Sequence, residues 1–467
     1  MIKRLSMRML CLGLMLVVFT ACSGGETPSD SATGEPSGPS ETAGERGSDE
    51  KDAVVEEPAE EPVKGIDEEA EIFIYSVHGT TDEAFDQLWG SRLKEKFPHL
   101  KVEFLQRSTG NTIQDLVARK QFPDIMRTAF NELYADYIDL GLAYDMTELV
   151  HKYDYDTSVF VPALMTRIIN EAPNGELYGL PITGSTNGMA MFYNKGIFDR
   201  FGIEYPTDDM TWDDLYEVVR QIGRTEDGVT YRGFTALTPN VLRYNQLGLP
   251  FLDPHENKIF DMDQWLPVFN NFLRFYELEN NQFAEKLTDH YYDFYRKLNV
   301  AVTLTNYGNY RQFPEELDWD VMAMPKFEGI PPNNGGLGAA YWSITEQARD
   351  KDLAFQVIQY LSSKEVQMAN AKIGYLPSIE DDEVYKSFGE EDPLLEGKNI
   401  SGFFAHEYAP APAKRDSDLI AFNEGDQANI FRDVLVNVAQ GHKDINTAIR
   451  EATELFEQKF NEAAGTE

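Results

Sequence analysis

Cysteine is scarce in this chain: two of its 467 residues are cysteines, Cys11 and Cys22. Cys11 lies inside an apolar run near the N-terminus, and loss of that run would leave Cys22 as the single cysteine. One cysteine cannot close an intramolecular disulfide, nor can it supply a zinc site built from several thiolates. The sequence therefore excludes a disulfide-stabilised scaffold and a cysteine-based zinc domain.

Positive charge is scarce as well, since 41 Lys and Arg residues stand against 79 Asp and Glu residues and leave a formal net charge of -38. A surface of this sign repels phosphate groups, which argues against a nucleic-acid partner. It suits a soluble surface and a neutral or cationic ligand. The length of 467 residues favours about two to three domains.

Long apolar runs are absent after residue 21. The run before it, residues 9–19, follows three basic residues and is short for a transmembrane helix, which is typical of a secretory signal over residues 1–21. Thr20 and Ala21 directly before Cys22 resemble the lipobox of bacterial lipoproteins. In that family the cysteine thiol receives a diacylglycerol and becomes the new N-terminus. The alternative is an ordinary signal peptide with an incidental cysteine.

The next segment is rich in Gly, Pro, Ser, Thr and acidic residues and poor in apolar ones. Such a composition cannot bury enough apolar surface to offset the entropy of ordering. We therefore expect residues 22–70 to be a lipidated Cys22 followed by a disordered acidic tether, extended by the repulsion of like charges. The folded body then begins at Glu71.

Strand and helix patterns alternate from the start of this body. A buried-strand run, "EIFIYSV", is followed by apolar residues at helical spacing up to Phe97 and then by the strand "KVEFL". Thr80 and Glu83 offer a capping box at the start of the helix. This β-α-β pattern predicts parallel strands with a right-handed crossover, and ligands bind at the carboxyl ends of such strands.

Further elements can be predicted downstream. Strands are expected over "PDIMRTAF", "LNVAVTLTNYG" and "DWDVMAMP". Thr211 and Asp214 predict one capping box, and Ser362 and Glu365 a second one between two helices. A last pair of helices is expected over residues 428–461.

The signatures of common catalytic sites are missing. The sequence has no G-x-x-x-x-G-K-[ST] loop, no G-x-S-x-G elbow and no H-E-x-x-H, and its seven histidines are scattered. Two carboxylates facing a cleft would suffice for a glycosidase, but no local pattern marks such a pair among 79 acidic residues. We therefore expect no catalytic residue, no cofactor and no metal.

One long stretch carries a family resemblance. "GELYGLPITGSTNGMAMFYNKGIFDRFGIEYPTDDMTWDDL", residues 175–215, resembles the extracellular solute-binding proteins of ABC importers, in particular the sugar-binding group that includes maltose-binding protein. "PDI" at residues 123–125 and "VAVTLTNYGNY" at residues 300–310 add to it, and the resemblance covers nearly all of residues 71–460. It implies an α/β, two-lobed periplasmic-binding-protein-like fold of type II, with a ligand cleft between lobes joined by three chain crossings.

The resemblance also implies where the lobes divide. The three crossings are expected near residues 183–190, 300–305 and 339–343. The corresponding lobes are residues 71–183 plus 303–340 for the first and residues 184–302 plus 341–467 for the second. Small residues in the first crossing would let the backbone bend and approach a ligand closely.

The expected cleft mixes hydroxyls, amides and aromatic rings, which suit the hydroxyls and flat C–H faces of sugars. The predicted ligand-binding residues, from the loops at strand ends and from the crossings, are Ser76, His78, Gly79, Thr128, Phe130, Asn131, Ser185, Thr186, Asn187, Asn306, Tyr307, Tyr341 and Trp342. Neighbours on a strand point to opposite faces. We expect Trp342 to be the platform under a sugar ring, because indole has the larger flat face, and Tyr341 to pack inward.

By the resemblance, the protein is a monomeric lipoprotein on the extracytoplasmic face of the cell membrane. It would capture a small molecule, expected to be a sugar or oligosaccharide, and deliver it to ABC permease subunits encoded as separate chains. Two alternatives stay open: an extracytoplasmic carbohydrate-active enzyme, and a ligand-sensing partner of a membrane receptor.

Overall fold

Two five-stranded sheets organise the folded part of the chain. The structure is a computed structural model that describes residues 69–129, 133–184 and 188–465. The signal segment, Cys22 and the tether as far as residue 68 lie outside the described residues. The strands of the described part are β1 (Ala70–Ser76), β2 (Leu100–Gln106), β3 (Ile125–Ala129), β4 (Leu180–Pro181), β5 (Met189–Asn194), β6 (Arg224–Glu226), β7 (Val229–Ala236), β8 (Val300–Asn306), β9 (Trp319–Met322) and β10 (Ala340–Ile344).

The helices cover both sheets. Those of the described part are α1 (Asp82–Phe85), α2 (Ser91–Lys96), α3 (Ile113–Ala118), α4 (Thr147–Lys152), α5 (Pro162–Glu171), α6 (Lys195–Phe201), α7 (Trp212–Val219), α8 (Thr238–Arg243), α9 (Met262–Tyr276), α10 (Leu287–Arg296), α11 (Lys351–Leu361), α12 (Lys364–Lys372), α13 (Asp382–Ser387), α14 (Glu424–Ala439) and α15 (Ile445–Ala463). Among the described helices, none combines the length and apolarity needed to cross a membrane.

The first sheet has the order β2-β1-β3-β10-β4. β1 pairs in parallel with β2 and β3, whereas β10 is antiparallel to both β3 and β4. The parallel pairing of β1 and β2 confirms the β-α-β prediction. The second sheet has the order β6-β7-β8-β5-β9, with β7 and β8 parallel and β5 antiparallel to β8 and β9. We call each sheet with the helices packed on it the first and the second lobe.

In the helical segment after β1, the sequence pattern predicted the buried face correctly and the N-cap incorrectly. A π-helical turn, Asp86–Gly90, joins α1 to α2, and the predicted apolar face from Phe85 to Phe97 is buried. The cap, however, is Thr81, whose Oγ1 accepts from the Ala84 amide at 3.2 Å. Thr80 is buried instead, with its hydroxyl 3.4 Å from Ser76 Oγ, so the predicted cap was one residue early.

The other two predicted caps had different outcomes. Thr211 and Asp214 form the expected capping box at the start of α7. At α12 the cap is Ser363, which accepts from the Val366 amide, and not Ser362. Ser362 is the residue directly after α11 and is buried, so its hydroxyl does not cap the next helix.

Asp124 fixes the start of β3. Its buried carboxylate accepts from the Phe73 amide and from the Arg349 amide, both at 2.8 Å. The Arg349 guanidinium adds a charged contact at 2.6 Å. Because Phe73 belongs to β1 and Arg349 precedes α11, this carboxylate ties three distant segments of the first lobe together.

The sheet membership corrects the predicted lobe boundaries. The whole of β8 and β9 belongs to the second sheet and β10 to the first, so the divisions at residues 302/303 and 340/341 were wrong. The crossing expected at residues 300–305 is therefore wrong, because β8 is paired on both sides within the second sheet. The crossing expected at residues 339–343 is wrong as well, because β10 is paired on both sides within the first sheet. The chain passes from the first sheet to the second between Pro181 and Met189, and returns between β9 and β10.

The hydrophobic core is built on both faces of the second sheet. Along β5, Ala190 and Phe192 join the larger apolar cluster, which also fills the first lobe. The alternate residues, Met191 and Tyr193 among them, join a second cluster that includes Phe431 of α14. The last helix pair thus covers the outer face of the second lobe.

Candidate functional site

A cavity of about 380 Å³ lies between elements of the two lobes. One wall is α5, which packs on β4 of the first sheet. The opposite wall is formed by α8, which packs on β8 of the second sheet, and by α14, which packs on α8. Irregular segments at residues 249–252 and 412–423 complete the lining. A ligand in this cavity would therefore contact both lobes at once.

Three charged side chains meet across this cavity. Arg167 of α5 lies 2.5 Å from Glu424 of α14, measured from Nη2 to Oε1. The other carboxylate oxygen, Oε2, lies 3.7 Å from Nε of Arg243 on α8. The side chains of Arg167, Arg243 and Glu424 are 5%, 17% and 19% exposed. One carboxylate is thus placed between guanidinium groups of opposite lobes.

Glu171 lies one helical turn after Arg167 and lines the same cavity. Burial raises the pKa of its carboxyl group to about 7, against the opposing influence of Arg167 and with a further increase from Glu424. Near neutral pH this side chain therefore exists in both forms, and the protonated form can donate as well as accept a hydrogen bond.

The segment before α14 is tied to α5 by hydrogen bonds. Asn170 donates to the Pro412 carbonyl at 3.1 Å, and Lys414 donates to the Ala172 carbonyl at 3.0 Å. These bonds hold the segment from residue 412 over the cavity. Phe251 and Phe422 belong to a lining in which apolar side chains are about as numerous as polar ones.

The predicted residues after β1 do not line this cavity. Ser76 is buried, and its hydroxyl donates to the His78 carbonyl at 2.8 Å and accepts from Arg127 at 3.3 Å. His78 is partly exposed and Gly79 is exposed. The Ser76 hydroxyl thus stabilises its own loop, while His78 and Gly79 remain accessible at the carboxyl edge of the first sheet.

The predicted residues on the middle strands of the first sheet are in its core. Thr128 hydrogen-bonds Ser343 at 2.8 Å, and Tyr341 donates to the Leu164 carbonyl at 3.3 Å. Tyr341 and Trp342 are both 0% exposed. The prediction that Trp342 forms an accessible platform is wrong for this conformation, because β10 lies between β3 and β4 with both faces covered.

At the carboxyl end of β8, Asn306 is partly exposed and its Oδ1 accepts from Asn240 Nδ2 at 2.7 Å. Tyr307 is buried, which raises its pKa, and its hydroxyl accepts from the Leu376 amide at 3.4 Å. The remaining predicted residues lie outside the described part of the chain: Phe130, Asn131, Ser185, Thr186 and Asn187.

A family model matches more than half of the chain. The model of the bacterial extracellular solute-binding proteins aligns with residues 78–368. This chain belongs to that family. The predicted family is thereby confirmed, and its members are named for binding a solute rather than for a reaction.

Curated relatives are more distant. The sn-glycerol-3-phosphate-binding periplasmic proteins UgpB of Brucella melitensis and Brucella abortus are each 23% identical over 273 residues. The aligned part is 52% of this chain and 60% of each relative. The chain thus matches these relatives over less than two thirds of their length.

Solved structures show the fold. The sugar-binding protein MalE of Xanthomonas citri has a TM-score of 0.64 at 17% identity, covering 84% of this chain and 98% of its own. The substrate-binding protein Lmo0181 of Listeria monocytogenes, in complex with cycloalternan, has a TM-score of 0.60 at 18% identity, covering 86% and 100%. The two-lobed, type II periplasmic-binding-protein-like fold is therefore confirmed.

Almost nothing in the sequence pattern pointed to the cavity residues. Arg167 and Glu424 are 257 positions apart, and no local motif connects them. A weak signal was the position of Arg167 three residues after Leu164 and next to Ile168, which places it at the apolar face of α5. Within residues 69–129, 133–184 and 188–465, no group of His, Cys, Asp and Glu side chains is arranged to hold a metal ion.

Proposed function

We propose that this family member captures a carbohydrate outside the cytoplasm and delivers it to the membrane subunits of an ABC transporter. The observation that carries the proposal is the cavity whose charged walls belong to different lobes, with Arg167 on one side and Arg243 and Glu424 on the other. Membership of the solute-binding family supports it. The cycloalternan held by the Listeria protein supports a carbohydrate as the solute class.

Binding in such a cavity couples recognition to lobe closure. A solute that touches α5 and α14 together interacts more strongly with the closed arrangement, and it shifts the population toward that state. Guanidinium groups donate hydrogen bonds to hydroxyl oxygens, and carboxylates accept from hydroxyl groups. No covalent step is required, and permease subunits would recognise the closed form.

In this proposal the N-terminal segment attaches the protein to the cell membrane. Lipid on Cys22 would hold the protein at the extracytoplasmic face of the cell membrane. Residues 23–70 would separate the folded body from the bilayer, and the mature chain would act as a monomer. The permease and its ATPase would be separate chains.

A thermal-shift screen of the purified mature chain tests the proposal. We would use neutral sugars, namely glucose, galactose, maltose, cellobiose and lactose, with their acidic counterparts. A ligand at 100-fold excess over its Kd adds ~2.7 kcal/mol to the free energy of unfolding. Arg167→Gln should abolish the shift, whereas Arg450→Gln, an exposed arginine on α15, should not. Absence of any shift across the panel would contradict a carbohydrate ligand.

The same mixtures distinguish the alternative functions. Glu171 and Glu424 provide two carboxyl groups in one cavity, which is the minimum a glycosidase requires. Chromatography of the oligosaccharides after incubation should show them intact. Cleavage products that disappear in Glu171→Gln would assign the protein to the carbohydrate-active enzymes instead.

A further inference from the structure

Arg243 is the charged side chain of the cavity with the fewest hydrogen bonds. Its Nε is buried without a hydrogen-bond partner, and it donates no hydrogen bond to any residue that the structure describes. The distance of 3.7 Å to Glu424 Oε2 is too long for a hydrogen bond. Glu424 Oε2 is likewise buried without a partner. A buried donor without an acceptor is costly, so this guanidinium is poised to receive one from a ligand.

The charges around Arg243 leave a local excess of positive charge. Glu424 is engaged by Arg167 at 2.5 Å, and among the described residues it is the one carboxylate paired with both guanidinium groups. Lys414 and Arg415 also line the cavity, and neither forms an ion pair with a described residue within 4.0 Å. Lys414 donates to a backbone carbonyl and Arg415 to carbonyl and amide oxygens, so their charges are not neutralised by direct contact.

The other acidic groups of the lining do not cancel this excess. Asp139 and Asp416 are exposed at the rim, and Asp416 pairs with His255 at 3.1 Å. Glu171 faces Arg167 on its own helix and Glu424 on α14, and its pKa near 7 means that it carries a full charge only in alkaline solution. The buried wall formed by Arg167, Arg243 and Glu424 therefore carries more positive than negative charge, inside a chain whose net charge is -38.

We propose that the solute carries a carboxylate or phosphate group, and that Arg243 receives this group while Arg167 remains bound to Glu424. The planar guanidinium fork matches the oxygens of either anion and can bind two of them at once. This inference rests on the proposed carbohydrate function and deepens it to an acidic carbohydrate. It also replaces the expectation of a neutral or cationic ligand, which followed from the net charge alone.

Matched sugars test the charge requirement. We would titrate the mature chain calorimetrically with glucose, glucuronate and glucose 6-phosphate, and with galactose, galacturonate and galactose 6-phosphate. An anionic sugar should bind at least about tenfold more tightly than its neutral parent, because hydrogen bonds from a guanidinium to a charged oxygen are stronger than those to a neutral hydroxyl. The carboxylate and phosphate members of each series show which anion is accepted, and inorganic phosphate shows whether the sugar is needed.

Variants of Arg243 test whether this residue causes the preference for anionic sugars. Arg243→Gln should reduce the preference for the anionic sugar to about twofold or less, and Arg243→Lys should retain part of it, because a point charge remains without the fork. Arg450→Gln is the matched control and should bind like the unmodified protein. Melting curves without ligand verify that each variant is folded.

The outcomes separate this inference from the proposed function. If neutral sugars bind as tightly as their acidic counterparts, the anion inference is wrong and carbohydrate binding stands. If no sugar of either kind binds, both proposals fail. Binding of inorganic phosphate as tight as that of the sugar phosphates would also overturn the inference, because the solute would then be a free anion.

Discussion

The indole ring of Trp342 meets that of Trp89 edge to face, with ring centroids 5.2 Å apart and planes at 79°. Both rings are almost fully buried, Trp342 on the central region of the first sheet and Trp89 in the helical segment that covers it. This pair therefore joins a sheet to its covering helix inside the first lobe, and a substitution there should act on stability rather than on ligand binding.

Trp342→Ala should lower the free energy of unfolding by about 3–5 kcal/mol, because it removes a large buried ring and leaves a cavity. Trp342→Phe should cost less, since part of the aromatic contact with Trp89 remains. Urea unfolding monitored by circular dichroism gives both values, and calorimetry should show the Kd for the solute unchanged. A weakened Kd with little loss of stability would restore Trp342 as a ligand platform.

The two readings of Trp342 illustrate what a sequence pattern can and cannot predict. Apolar spacing identified the strand of Trp342 and the helix of Trp89, because each depends on neighbours within a few residues. Which sheet β10 joins depends on pairing with β3, over 200 positions away. The expected cleft position of Trp342 came from a chain crossing that was assigned to the wrong segment.

The cavity residues were unpredictable for the same reason. Arg167, Arg243 and Glu424 are brought together by the packing of three helices from two lobes, and each is an ordinary charged residue in its own segment. The family resemblance correctly indicated a two-lobed fold with a cleft. The ligand-binding residues, however, were predicted in the loops at strand ends and not on these helices. Local caps were predicted to within one residue, as Thr81 and Ser363 show.

Asp124→Ala should destabilise the first lobe strongly. Its carboxylate accepts from the amides of Phe73 and Arg349 and pairs with the Arg349 guanidinium, so the substitution leaves several groups without a partner. The Arg349 side chain is 56% exposed and can be solvated, so the cost comes mainly from the two amides that lose their acceptor, at about 1–3 kcal/mol each. Asp382→Ala, at an exposed aspartate, should change stability by no more than about 0.5 kcal/mol. Equal losses in the two variants in urea unfolding would contradict the role of Asp124.

Glu171 should make the protein less stable as the pH rises through neutrality. Its folded-state pKa of about 7 lies above the ordinary value of 4.5, so between these values the folded state binds more protons than the unfolded state. Stability is then highest below pH 4.5 for this group and is lost as the pH rises through about 7. The total effect is on the order of 3 kcal/mol.

Glu171→Gln isolates this contribution, because glutamine keeps the shape of the side chain and does not titrate. We expect the decrease in unfolding free energy between pH 5 and pH 8 to be smaller in the variant than in the unmodified chain, by about 2–3 kcal/mol. Urea unfolding at several pH values measures both curves. Parallel curves would show that Glu171 does not titrate in this range.

Cys22→Ala tests the proposed membrane anchor. Lipidation requires the cysteine thiol, so the variant should be released from the membrane or remain with its signal segment attached. Fractionation of cells and mass spectrometry of the N-terminus distinguish these forms. Cys11→Ala is the matched control and should be processed like the unmodified chain. A Cys22 variant that is still processed and bound to the membrane would exclude the lipoprotein proposal.

The pair Arg167–Glu424 should couple the two lobes energetically. Its side chains are 5% and 19% exposed, so replacing either one leaves a buried charge without its closest counterion, at a cost of about 3–5 kcal/mol. In the double variant Arg167→Gln, Glu424→Gln both charges are gone, and the loss should be smaller than the sum of the single losses by about 0.5–3 kcal/mol. The same cycle with the exposed pair Arg450 and Glu454, which lie within one helix, should give about 0.3–0.5 kcal/mol. Strictly additive losses for Arg167 and Glu424 would mean that the two lobes are held together without this ion pair.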